Sequence, residues 1–341
     1  MMVLITGGAG YIGSHVTKQL LEQDVNILII DNLSTGFQST IDSLQKIKKF
    51  NFINLDLKDF KKVESIFKNY NIETVIHFAA FSQVNESMNE PTKYYMNNTM
   101  NTINLVKCAS DNGVKKFIFS STAAVYGEPK FTNNKKMIDE KFELKPINAY
   151  GQSKLMSEQV IKDEAMVNKN LKYCIFRYFN VVGADIHYKD NKLSPRIGEL
   201  HEPETHLVPL VVKTALKKRG PITIFGEDYD TPDGTCIRDY IHVDDLADIH
   251  IKAINYLDKN ESNIFNCGYG HGYSVKEIVD NVKRTINCDF KVLKGNRREG
   301  DPSILISDNS KIKEKMKWIP KYDNLGLIIE SVHSWEKHYK V

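Results

Sequence analysis

Tyr150 and Lys154 bracket the segment Tyr-Gly-Gln-Ser-Lys. On a helix, positions i and i+4 share a face, so the ammonium lies beside the phenol. A free phenol has a pKa of about 10. A neighbouring lysine favours the phenolate and makes a general base usable near neutral pH. Ser120, Ser121 and Thr122 close an apolar run. Open α/β sheets place ligand chemistry at the carboxyl ends of their strands. A hydroxyl there can share a hydrogen bond with Tyr150 and a substrate alcohol. Taken alone, the tyrosine–lysine spacing is better explained by amphipathic surface packing.

The start of the chain reverses that balance. Gly7-Gly8-Ala9-Gly10-Tyr11-Ile12-Gly13 follows an apolar run and precedes residues at helical spacing. Gly7 permits a tight turn, Gly10 lets the backbone approach a pyrophosphate, and Gly13 lets the helix pack close to the sheet. Free amides at the helix N-terminus then meet the negative charge. Asp31 ends the next apolar run, 21 residues beyond Gly10. A carboxylate there accepts from a ribose 2′-hydroxyl and repels a 2′-phosphate, which selects NAD over NADP.

These groups need a scaffold, and the hydrophobic pattern supplies one. Apolar runs at Met2–Thr6, Val25–Ile30, Phe50–Leu55, Thr74–Ala79, Lys116–Ser121 and Lys172–Phe179 read as strands. Helical spacing covers Ile12 to Leu21, Tyr94 to Asn112 and Tyr150 to Val167. Short apolar runs alternating with helices predict an α/β fold, a Rossmann-type doubly wound parallel sheet covered on both faces. Residues 187–206 are polar and carry Pro195 and Pro203, and they read as loop. Beyond them come a helix at Leu207–Lys218, a strand at Ile222–Phe225, a helix at Asp245–Leu257, a strand at Ile264–Cys267 and helices at Val275–Ile286 and Leu325–Lys337. Ser274 with Glu277 forms a capping box. The expected division is a nucleotide-binding domain over 1–180 and a smaller α/β substrate lobe over 181–341, with chain crossing back between them.

Composition narrows the classes. The chain has 341 residues, with Lys plus Arg at 46 and Asp plus Glu at 43. A net charge of +3 removes the main argument for nucleic acid as partner. No apolar stretch approaches the roughly 18 residues of a transmembrane helix. Cys108, Cys174, Cys236, Cys267 and Cys288 are odd in number and contain no CxxC, which points to a reducing cytoplasm. His201 and His206 stand five apart around Pro203 with no obvious third ligand, so no metal is expected.

Over essentially its whole length the sequence resembles the extended short-chain dehydrogenase/reductases of the UDP-hexose 4-epimerase type. GGAGYIGSH (7–15), VIHFAA (75–80), FIFSSTAAVYG (117–127), YGQSKLMSE (150–158), RYFNVVGA (177–184), ETHLVPL (204–210) and DGTCIRDYIHVDDLAD (233–248) carry the resemblance. It implies NAD contacts from the glycine loop with Tyr11 and Ile12, then Asp31, Asn32, Ser34, Thr35, Gly36, Asp56 and Leu57. It continues them at Phe78, Ala79, Ala80, Ser82, Asn97, Thr122, Tyr150, Lys154, Tyr178 and Phe179. It implies substrate contacts from Thr122, Tyr150, Asn180, His206, Leu207, Thr223, Ile224 and Phe225. Arg238 and Arg298 would hold the diphosphate, with Tyr240 and Asp301 nearby, and two of only seven arginines fall there.

The implied activity is reversible inversion at C4 of a UDP-hexose through a 4-keto intermediate, with tightly bound NAD, in a homodimer built on two helices per subunit. Tyr150, Lys154 and Thr122 are the catalytic residues in this reading. Three positions depart from many relatives: threonine at 122 replaces serine, serine stands at 82 where some carry lysine, and Leu305 occupies the sugar-pocket gate. A residue smaller than tyrosine at the gate resembles the enzymes that also accept 2-N-acetyl sugars, although Ile304-Leu305-Ile306 also reads as a buried strand. Two alternatives stay open. A 4,6-dehydratase would carry an Asp-Glu pair where Ala123 and Ala124 stand. A non-catalytic NAD-sensing protein would typically lack the tyrosine or the lysine.

Overall fold

The computed structural model describes residues 2–131, 136–298 and 300–339. Its strands β1 (Met2–Thr6), β2 (Asn26–Asp31), β3 (Asn51–Asn54), β4 (Ile72–His77), β5 (Lys116–Thr122), β6 (Lys172–Tyr178) and β7 (Asn263–Cys267) form one sheet. The order is β7-β6-β5-β4-β1-β2-β3, with every pairing parallel. The main helices are α1 (Tyr11–Glu22), α2 (Gln38–Ile47), α3 (Phe60–Asn69), α4 (Asn101–Asp111), α5 (Ala149–Val167), α6 (Leu207–Ala215), α7 (Val243–Lys259), α8 (Val275–Ile286) and α9 (Leu325–His338).

Strand side chains alternate between the two faces, so the apolar runs feed two cores. Val3, Ile5, Ile27 and Ile29 pack with Val16 and Leu20 of α1 and with Leu246 and Ile249 of α7. Leu4, Leu28, Val75 and Phe119 pack with Val63 of α3, Leu105 of α4 and Ile161 of α5. Strand order reverses between β1 and β4, the switch point where open α/β sheets bind ligands. At that point Thr6 pairs with His77. Thr6 Oγ1 and Thr102 Oγ1 clamp the His77 ring at 2.7 and 2.9 Å. Burial lowers the pKa of His77 to about 3 and keeps it neutral.

The chain returns to this layer late. β7 extends the sheet beside β6, and α7 packs against α1. Other residues beyond 180 form short ladders. Ile222–Phe225 pairs with Val292–Gly295, and Asn180–Val182 with Tyr240–His242. Ile237–Arg238 lies between Ile304–Leu305 and Tyr273–Ser274. The capping box of α8 is present: the Ser274 hydroxyl accepts from the Glu277 amide, and the Glu277 carboxylate accepts from the Ser274 amide. Among the described residues no helix is long and apolar enough to cross a membrane.

The helix read over Tyr94 to Asn112 is interrupted. A turn at Pro91–Tyr94 runs into a π-helical turn, Tyr95–Met100, before α4 begins. The Asn98 side chain accepts from the Phe81 amide at 2.9 Å and donates to the Phe81 carbonyl at 3.0 Å. Its backbone carbonyl accepts from the Thr102 hydroxyl at 2.6 Å. Side chains that bond backbone in this way compete with the regular helix. Within 187–206, Tyr188–Lys189 and Lys192–Leu193 form a two-residue ladder.

A buried ion pair holds α5 to the sheet. Glu158, one turn beyond Lys154, accepts from Arg177 Nε at 3.0 Å and Nη2 at 2.7 Å, and from Ser121 Oγ at 2.5 Å. Both charged side chains are almost wholly buried. Removing one partner strands the other charge. Glu158→Ala is therefore expected to lower stability by about 3–5 kcal/mol in urea denaturation. A loss below about 1 kcal/mol would match an exposed pair instead.

Candidate functional site

The glycine loop leaves β1 at the switch point. Gly7 has φ +76°, and a Cβ there would lie 2.6 Å from the Ala79 amide nitrogen. A Cβ on Gly13 would lie 2.2 Å from the Gly7 carbonyl oxygen. A Cβ on Gly10 would find only that same carbonyl, at 3.4 Å. The helix cap at Gly10 makes no side-chain bond, and first-turn amides have no partner within the helix. This cradle fits a dinucleotide pyrophosphate at a helix N-terminus.

Asp31 closes β2 beside the loop. Its carboxylate accepts from the Ala9 amide at 2.9 Å and the Leu33 amide at 2.8 Å. Burial raises its pKa and those two bonds oppose the rise. A carboxylate has about four acceptor sites, so capacity remains for ribose hydroxyls. Asn32 donates to Asp56 at 3.0 Å, and the Ser34 amide donates to Asn32 at 3.0 Å. Thr35 and Gly36 continue that turn, and Leu57 is buried below it. Phe78, Ala79 and Ala80 are half-buried at the end of β4, whereas Ser82 is exposed. Asn97 lies on the π-helical turn.

Across the switch point, β5 ends at Thr122 and α5 begins at Ala149. Asn148 caps α5 by accepting from the Gly151 amide at 2.8 Å. The start of α5 presses on the turn after β5: a Cβ on Gly151 would lie 2.6 Å from the Ala124 carbonyl oxygen. That approach sets Tyr150, which is half-buried, beside Thr122. Lys154 Nζ donates to the Ser120 carbonyl at 2.7 Å. Tyr178, at the end of β6, meets His250 Nε2 at 2.6 Å. His250 Nδ1 lies 2.8 Å from the Leu246 carbonyl, so Nε2 is the acceptor for the phenol.

The electrostatics differ from the expected lysine-lowered phenol. Burial raises the pKa of Tyr150, and the Thr122 hydrogen bond opposes that rise. Burial lowers Lys154 to about 7, with Glu158 opposing. Lys154 is buried and Tyr150 half-buried, and desolvation disfavours ammonium and phenolate alike.

Arg238 is paired with Asp301 and donates to the Ile237 carbonyl at 2.8 Å. Tyr240 is buried two residues on, and burial raises its pKa while Arg238 opposes. The Arg298 guanidinium lies 4.2 Å from the centre of the exposed Phe225 ring. Thr223 is half-buried, whereas Ile224 packs into the core. Asn180 donates its amide to the Asp239 carbonyl at 2.9 Å. Phe179 and Leu305 belong to a small apolar cluster with Ala123, Val125 and Tyr126. His206 is the residue before α6, and Leu207 begins that helix against the main core.

Some contributors were missed from sequence. Gly151, Glu158 and the Ser120 carbonyl act on Tyr150 and Lys154 only through packing, and the one signal was a glycine inside a helical pattern. The pair His201 and His206 does not stand alone, as the sequence reading had it: Glu199 and Glu204 lie against both rings.

Comparison with known proteins agrees with this geometry. Residues 3–268 match the model of the NAD dependent epimerase/dehydratase family. A UDP-glucose 4-epimerase of Lactobacillus helveticus is 42% identical, over 99% of this chain and 98% of its own length. The structure of a UDP-Glc/GlcNAc 4-epimerase from Campylobacter jejuni superposes with a TM-score of 0.85 at 50% identity, covering 99% of each chain. That of a UDP-glucose 4-epimerase from Bifidobacterium longum, in complex with NAD+ and UDP, gives 0.91 at 34% identity, covering 99% and 98%. The chain belongs to the NAD-dependent epimerase/dehydratase family, as a relative of the UDP-glucose 4-epimerases.

Proposed function

We propose that this enzyme reversibly inverts C4 of UDP-hexoses, on UDP-glucose and UDP-galactose and also on the 2-N-acetyl sugars, with NAD held throughout. The observation that carries the reading is the half-buried Tyr150 set beside Thr122 at the end of β5, with Lys154 one turn on and bonded to the Ser120 carbonyl at 2.7 Å. Tyr150 takes the proton of the sugar 4-hydroxyl, Thr122 bridges the two oxygens, and Tyr150 later returns the proton. Bound NAD supplies a hydride acceptor for the C4 hydrogen, which comes back on the opposite face of the 4-keto sugar, and a positive ring beside the phenol. Lys154 orients the nicotinamide ribose, and Asp31 takes the adenosine ribose. Arg238 and Arg298 anchor the diphosphate, so binding energy comes from groups remote from the reacting carbon. Ala123 and Ala124 follow Thr122 and can transfer no proton, which disfavours a dehydratase. Leu305, which packs against the cluster of Ala123, Val125, Tyr126 and Phe179, is aliphatic where a tyrosine ring would fill the volume an acetamide needs.

A homodimer fits the outer face of the same helices. Met96, Met100 and Ile103 follow one another at spacings of four and three and are 58%, 39% and 39% exposed. Met156 of α5 is 42% exposed. A second copy of the chain would cover this apolar stripe in a four-helix contact. A cytoplasmic location fits the five free cysteines.

Three measurements test this reading. Tyr150→Phe should lower turnover by roughly 10²–10⁴-fold, the worth of a positioned acid–base group, while NAD stays bound; near-normal turnover would take the base role from Tyr150. The pKa of Lys154, about 7 when folded, compares with about 10.4 unfolded. Below the lower value both states hold the proton, and folding bears the full cost of a buried ammonium. As pH rises through the window the folded chain sheds the proton first, so the cost fades. In the cofactor-free protein, Lys154→Met should therefore gain stability most near pH 6 and progressively less towards pH 10; a pH-independent difference contradicts the assignment. Sedimentation should give a dimer that Met100→Asp with Ile103→Asp converts to a folded monomer, and a monomeric parent would reject the interface.

A further inference from the structure

Glu199, His201, Glu204 and His206 converge in the segment that leads into α6. One ligand atom from each lies within 4.8 Å of all the others. His206 Nδ1 is 2.8 Å from Glu199 Oε1 and 3.1 Å from Glu204 Oε1. His201 Nδ1 is 3.2 Å from Glu199 Oε1 and 3.8 Å from Glu204 Oε2. Ligands at about 2.0–2.1 Å from a tetrahedral centre stand roughly 3.3 Å apart, near the middle of that range.

The orientation of these groups is the second observation. The Glu199 side chain is only 3% exposed. Neither of its oxygens is in hydrogen-bond geometry, although both rings are within ion-pair distance. His201 Nδ1 and Glu204 Oε2 are buried in the same condition. Groups that simply paired would turn N–H and lone pair towards each other. His206 Nδ1 does so with Glu204 Oε1 at 3.1 Å, whereas both Glu199 oxygens, His201 Nδ1 and Glu204 Oε2 stay unpaired within the cluster. The supports around them fit ligands held in place. Glu204 Oε1 accepts from the Thr205 and His206 amides, each at 2.8 Å, which leaves Oε2 turned inwards. The Glu199 backbone carbonyl accepts from Trp335 Nε1 at 2.9 Å. Outer bonds of this kind orient metal ligands.

We propose that Glu199, His201, Glu204 and His206 form a four-ligand zinc site. Two carboxylates and two neutral imidazoles balance a divalent cation. Mixed nitrogen and oxygen donors in a tetrahedron suit Zn²⁺ better than Mg²⁺ or Ca²⁺, which take six or more oxygens. Four protein ligands leave no open position, so the site is structural. It fastens the loop between Trp335 of α9, His206 at the entry to α6, and Tyr11, whose ring meets His201 edge-on at 6.2 Å. The inference does not rest on the epimerase reading, although it shares His206, a position that reading gives to substrate contact.

The test uses the full chain, stripped with a chelator and passed through gel filtration. Addition of ZnCl2 should leave about one zinc per chain after a second filtration, measured by elemental analysis, and raise the melting temperature by several degrees. MgCl2 should do neither. Glu204→Gln and His201→Asn should each lose the bound zinc and the shift while retaining the helical circular dichroism of the parent. If one variant misfolds, the other and the titration of the parent decide. A parent that retains no zinc overturns the proposal. So does a folded variant that binds zinc as the parent does, because the metal then lies elsewhere.

Discussion

The approach of α5 to the end of β5 is the constraint on which the rest depends. It is possible only because residue 151 has no side chain, since a Cβ there would lie 2.6 Å from the Ala124 carbonyl oxygen. The Glu158–Arg177 pair holds the same helix to β5 and β6 from below. Together they set Tyr150 on Thr122 and Lys154 on Ser120. A small outward shift of the helix would separate the phenol from the hydroxyl without changing any residue of the site. Positioning errors of about 1 Å can cost 10²-fold in rate.

Burial of this contact has an electrostatic consequence. In water a lysine beside a tyrosine would simply lower the phenol's pKa. Over the sheet, desolvation pushes both groups towards their neutral forms. The phenol is thus ready to hold a proton and needs a further positive charge to release it. That couples the base to an occupied cofactor site, which suits a reaction whose redox change is internal and must not leak. Arg238 and Arg298 lie on other elements, with Arg238 held by Asp301 and Arg298 against Phe225.

Much of this was legible in the residues. The apolar runs marked the sheet strands because a parallel sheet buried on both faces leaves no alternation to obscure them. The glycine loop, Asp31 and the α8 capping box are local motifs whose geometry follows from their own sequence. The π-helical turn was hidden because its cause, the bonds from Asn98 to Phe81, comes from outside the helix. Lys154's depressed pKa was hidden because desolvation depends on packing, not on spacing. Glu199 and Glu204 lie in a stretch that reads only as polar loop, and folding brings them against His201 and His206. Helical or strand periodicity carries no information about such a loop.

The central claim is a self-contained inversion at C4, and proton NMR of the purified enzyme tests it most directly. The enzyme would be incubated, with no NAD added, with UDP-glucose and separately with UDP-N-acetylglucosamine. The account predicts that both convert to equilibrium mixtures with their galacto epimers. Accumulation of a stable 4-keto product without either epimer would contradict it.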